Sequence, residues 1–250
     1  MGIISGYPVG AKIINRFLED GTCTKSEAER MLAFTNNSGP LFIIGTVGIS
    51  LFGSSTIGTI LFLTHIMACL TVGLIFGFIS KYVIPKSKKY NRDSISQTSC
   101  TFSNLGTILS NSITNSISTI LLIGGFIVLF SIIISILNNL GIIDYIANIL
   151  SYLHIPTEFG KSILIGLLEL TNGVNAVSLI HTKQMSTQII VSAFLLGFAG
   201  FSIFLQIFSI ASKNNLSMKP YFFGKLLQGL IAGCYTFIIL KSFDFLNFNL

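Results

Sequence analysis

Four stretches of this chain, residues 56–80, 117–140, 188–209 and 224–243, are apolar over the ~20 positions that an α-helix needs to cross a bilayer. Lipid offers no hydrogen bonds to the backbone, so a spanning segment must satisfy its amides internally. The expected fold is therefore all-α and polytopic, with broken or re-entrant helices between the confident spans. Composition agrees. The chain is 51% hydrophobic and only 10% charged, where a soluble domain carries about 25% charged residues. Its net charge of +6 then bears on topology. A nucleic-acid partner is not expected, because reading nucleic acid needs a basic face on a soluble fold.

The lysine-rich loop 81–116 sets the orientation. Lys81, Lys86, Lys88, Lys89 and Arg92 stand against one acid, Asp93, which places this loop in the cytoplasm. Its later part, 94–118, is rich in Ser, Thr and Asn and is expected to be flexible or only partly helical. The span 117–140 then runs outward, and residues 144–152 read as an amphipathic helix lying at the interface. If 160–180 is a re-entrant hairpin, 188–209 returns inward and Lys213, Lys219 and Lys225 fall in the cytoplasm, in keeping with the charge rule. The hairpin is expected to turn near 171–175. The resulting division is a partial first membrane repeat (1–80), the basic loop (81–116), a second membrane unit (117–212) and a terminal loop and helix (213–250).

Polar groups interrupt the apolar sequence in two places. Glu169, Thr171, Asn172 and Asn175 sit with Gly166 and Gly173 inside an otherwise apolar run. Asn36, Asn37 and Ser38, followed by Gly39 and Pro40, open the short apolar run 41–52. Paired interruptions of this kind mark solute sites in transporters. Glu169 is the sole acid within an apolar stretch, and such carboxyls are functional by default; the bland alternative is a hydrogen bond to freed backbone. For the asparagines and Ser38 the alternative is helix capping, with Ser38 as N-cap of the helix after Pro40. Ser5, Gly6, Tyr7, Pro8 and Lys12 form a third compact set, where Lys12 alone reads as a snorkelling side chain. Thr24 and Glu27 carry a capping-box pattern, so a helix starts near residue 25, expected at the interface. Residues 35–39 echo 171–175, and residues 5–8 echo 199–202, but the order differs in the two halves, so a simple tandem repeat does not fit both.

Cys23, Cys69, Cys100 and Cys234 show neither a disulfide framework nor zinc spacing, and the three histidines are far apart. No nucleophile elbow, zinc-protease motif or phosphate-binding loop is present. Neither enzymatic chemistry nor a cofactor is expected. The opening run lacks the basic region of a signal peptide and reads as the end of an element that begins upstream.

The strings Ser-Gly-Tyr-Pro-Val-Gly-Ala-Lys (5–12), Ala-Phe-Thr-Asn-Asn-Ser-Gly-Pro-Leu-Phe-Ile-Ile-Gly (33–45) and Gly-Leu-Leu-Glu-Leu-Thr-Asn-Gly (166–173) resemble the sporulation integral membrane YlbJ family over nearly the whole chain. Residues 117–212 also resemble the nucleoside-recognition, or Gate, domain. The resemblance implies a multi-pass protein of the mother-cell or outer forespore membrane needed for spore cortex formation, with other sporulation membrane proteins as partners. Its motif positions here are Ser5, Gly6, Tyr7, Pro8, Asn36, Asn37, Ser38, Gly39, Pro40, Glu169, Thr171, Asn172 and Gly173. Together these readings favour a transporter- or channel-like protein that handles a small polar solute or ion at residues 169–172, facing 36–38, with Asn175, Ser5 and Tyr7 contributing. The alternative is a non-transporting scaffold for cortex-building proteins.

Overall fold

A computed structural model describes residues 2–83, 105–181 and 185–245. Among these the chain is helical: α1 (Gly2–Ser5), α2 (Val9–Glu19), α3 (Lys25–Thr35), a π-wound helix (Leu41–Leu51), α4 (Ser55–Val83), α5 (Leu105–Asn139), α6 (Ile142–Ser151), α7 (Thr157–Leu168), α8 (Leu170–Ser178), α9 (Met185–Phe198), α10 (Gly200–Ala211) and α11 (Lys219–Phe245). The four expected spans are present, the third one as Met185–Asn214. That third span is broken. Ala199 takes φ 75° and Gly200 φ 82°, which separates α9 from α10.

The core is built around α11, which packs along α9 and against α4 and α3. The helices approach closely because glycines meet. A Cβ on Gly197 would lie 2.6 Å from Gly229 Cα, and one on Gly48 would lie 2.3 Å from Gly58 Cα. Small residues at crossings are how membrane helices gain dispersion contact when lipid is as apolar as their own side chains.

α3 begins as expected. Thr24 accepts from the Glu27 amide, and Glu27 Oε2 accepts from the Thr24 amide at 2.8 Å. The helix is also packed within the bundle. α3 packs against α2, α4 and α11, with Ala28, Leu32 and Ala33 buried, because its charges are confined to the first two turns. It leads end-on into residues 36–40 and then into the π-helix, so 25–51 forms one broken element. Two contacts place the end of α2 and the second turn of α3 beside the segment after α10. Asn214 donates to Glu19 Oε1 at 3.1 Å, and the Ser217 amide donates to Glu29 Oε1 at 2.7 Å.

The 160–180 region is a hairpin, but its turn lies at Glu169, not at 171–175. Glu169 adopts φ −141°, ψ 118° between two helices of 12 and 9 residues. At 1.5 Å per residue the limbs reach only about 18 and 14 Å, short of the ~30 Å hydrocarbon core. α8 folds back on α7 so tightly that a Cβ on Gly173 would sit 2.0 Å from Gly166 Cα.

α5 is helical from Leu105 onward, so of the two expectations for 94–118, flexible or partly helical, residues 105–118 take the helical one; residues 84–104 lie outside the described residues. Its hydroxyls explain this. Ser112, Ser116 and Thr119 donate to the carbonyls of Ile108, Ser112 and Asn115 four residues back, a pattern that satisfies them without leaving the helix. α6 has the expected amphipathic form, with Ile143 and Ala147 buried and Tyr145, Ile146 and Ile149 exposed.

Two outcomes are expected. A Gly173→Leu variant should lose about 1–3 kcal/mol by overpacking, read as a lower unfolding midpoint in detergent. With the native cysteines replaced by serine, Asn215→Cys should label from the cytoplasmic side and Asn139→Cys from the opposite side.

Candidate functional site

Glu169 is 1% exposed at the hairpin turn. Its Oε2 accepts from the Asn172 amide at 2.8 Å and from the Thr171 hydroxyl. The carboxylate therefore caps α8, whose free amides and dipole favour negative charge at that end. Asn172 Nδ2 reaches across to Ser131 Oγ on α5 at 2.8 Å. The break in the third span stands against this turn, since a Cβ on Gly200 would lie 3.0 Å from the Gly166 carbonyl oxygen and 3.3 Å from the Leu170 amide.

A second, larger polar cluster forms at residues 36–38. All three side chains are at most 2% exposed. Asn37 is saturated. Its Nδ2 donates to the Phe34 carbonyl at 2.7 Å and meets Cys69 Sγ at 3.1 Å. Its Oδ1 accepts from Lys225 Nζ at 3.1 Å and Gln228 Nε2 at 2.8 Å, and Lys225 Nζ also donates to Gln228 Oε1 at 2.8 Å. Lys225 is 2% exposed and lies 5.4 and 6.0 Å from the ring centroids of Tyr7 and Tyr221. Among the described residues it makes no ion pair.

Around this cation stand buried polar groups that find no partner outside the cluster itself: the Asn36 amide, Ser38 Oγ, the Tyr7 and Tyr221 hydroxyls and the His65 ring nitrogens. Tyr7 adjoins Ser38, and Tyr221 adjoins Asn36. The proposed Ser38 cap is corrected: the π-helix has no side-chain cap, and Ser38 Oγ is spare. Unpaired buried polar groups cost free energy, so their concentration at a helix break marks a place prepared for something polar.

The structure thus gathers Tyr7, Asn36, Asn37 and Ser38 at one place and Glu169, Thr171 and Asn172 at another; no hydrogen bond links the two sets among the described residues. Ser5 and Asn175 are exposed and belong to neither. Lys12 donates to Thr119 on α5. The central member, Lys225, was expected in the cytoplasm. It lies instead inside the bundle, because the acceptors that hold it come from residues 188 positions earlier and from one turn further along its own helix. The signal available in the sequence was Gln228, three residues after Lys225 and on the same helix face.

Sporulation integral membrane protein YlbJ of Bacillus subtilis is 33% identical to this chain over 256 aligned positions, covering 96% of the chain. The chain belongs to the YlbJ family. It spans 62% of the length of that relative. No known family profile matches the chain, and no solved structure matches it. The three strings that carry the resemblance fall at the helix breaks in this YlbJ-family structure: 5–12 at the α1–α2 bend, 33–45 at the α3 break and 166–173 at the hairpin turn.

Stability should separate the two partners of the central contact. Asn37→Leu removes an acceptor from a buried cation and should cost about 1.5–3 kcal/mol. Lys225→Met removes the uncompensated buried charge, which offsets the loss of the donor to Gln228 Oε1, so it should cost less than Asn37→Leu. Unfolding midpoints of the two purified variants check this contrast.

Proposed function

We propose that this chain is a membrane protein of sporulation, acting in spore cortex formation from the mother-cell or outer forespore membrane, and that it moves a small polar solute or ion across the bilayer. The observation that carries the transport reading is the set of buried polar side chains at residues 36 and 38, which cap no helix and meet only the Tyr221 and Tyr7 hydroxyls, beside a break in a membrane-embedded element. Irregular backbone and spare polar groups at membrane depth are tolerated where they line a solute path. The hairpin α7–α8 and the broken α9–α10 pair then act together as a Gate-type unit, since Gly200 packs on the hairpin turn. The sporulation role follows the printed name of the Bacillus subtilis relative.

The test is the heat-resistant spore titre of a strain lacking the gene. Asn36→Leu is the probe at the α3 break, because the Asn36 side chain caps no helix end and its one polar neighbour is the Tyr221 hydroxyl. Glu169→Gln keeps an oxygen to accept from the Asn172 amide. Wild type should restore the titre, while both variants, inserted at normal levels, should leave it near the deletion value. Full rescue by both variants would favour the scaffold reading, and an undiminished titre on deletion would remove the sporulation role.

A further inference from the structure

The cluster around Lys225 has a chemical bias. Two of its ammonium contacts are amide oxygens, at 3.1 and 2.8 Å, and two are tyrosine faces, at 5.4 and 6.0 Å. These groups solvate a cation but leave its charge uncompensated, and a buried charge is costly unless paired. The neighbouring polar groups face only one another, Tyr7 against Ser38 and Tyr221 against Asn36, with the His65 imidazole beside them. Each of them can donate a hydrogen bond. A bound cation would meet the Lys225 charge at this place, and an apolar guest would leave the donors unmet. Charge-assisted bonds from ammonium, hydroxyl and amide donors are instead what a carboxylate or phosphate oxygen takes.

We propose that this cluster is a binding site for the oxyanion group, carboxylate or phosphate, of a small solute. Lys225 supplies the counter-charge, and Tyr7, Asn36, Ser38 and Tyr221 supply the donors. The helix elements fit such a site. Tyr7 stands at the α1–α2 bend, Asn36 and Ser38 at the α3 break, and Lys225 and Tyr221 on the unbroken α11, so two interrupted elements close on one rigid wall. The inference deepens the transport reading by naming the class of solute, yet binding is measurable whether or not transport occurs.

The purified full chain in detergent is melted in increasing sodium acetate or sodium phosphate, against sodium chloride at matched ionic strength. A saturable rise of about 3 °C or more with acetate or with phosphate is expected, and the salt that acts identifies which oxyanion is recognised. The rise should vanish in Lys225→Met, whose helical circular dichroism and cooperative melt without added salt show that it is folded. Asn36→Leu should reduce it. No saturable rise with either salt, an equal rise in Lys225→Met, or an equal effect of chloride would overturn the proposal. Binding combined with full spore rescue by Asn36→Leu and Glu169→Gln would instead remove the transport reading and leave the anion site standing.

Discussion

A helix that stops inside a bilayer frees carbonyls and amides that water cannot reach, and the architecture of this protein is arranged around meeting them. Side chains do that work at each break. The Phe34 carbonyl, freed where α3 ends, receives the Asn37 amide and the Cys69 thiol, at 2.7 and 2.9 Å. The far end of α8 is held by Gln188, whose amide donates to the Val177 and Ile180 carbonyls at 2.9 and 2.7 Å. At the hairpin turn Glu169 fills the same need for amides, with a charge suited to the helix start.

That accounting sharpens the meaning of the groups left over. Asn37, Gln188 and Glu169 are polar residues in apolar surroundings, and each is explained by a backbone end that it satisfies. Asn36 and Ser38 stand beside Asn37 in sequence and are equally buried, yet they cap nothing. The polar residues of the breaks thus divide into those the fold consumes and those it leaves available, and the available ones cluster near Lys225 rather than near Glu169. The weight of the candidate site moves accordingly from the second half of the chain to the first.

What the sequence makes legible follows from the range of the interaction concerned. The capping box of Thr24 and Glu27 acts over three residues, and the spans are set by apolar length alone, so both read directly. The hairpin is legible in its glycines and in the charge rule applied to the lysines beyond it, but the turn falls at Glu169 because α8 can begin only where its first amides find an acceptor, and the carboxylate supplies it. The break at Ala199 lacked any local signature beyond its glycine neighbours, since it depends on Gly200 meeting the hairpin. Lys225 was misplaced for the same reason. A lysine near the start of a span usually snorkels to water, and only the asparagine far upstream, brought across by α3 packing on α11, turns it inward.

The helix α5 stands apart from this economy. At 35 residues it is about 52 Å long, well beyond the hydrocarbon core, and among the described residues only Phe130 and Ile134 of it are buried. Within the described residues few side chains therefore fix its height. A change in bilayer thickness shifts such a helix by tilt or sliding at small cost. The Asn172–Ser131 hydrogen bond joins it to the hairpin turn, so membrane thickness has a direct mechanical line to the residues at Glu169.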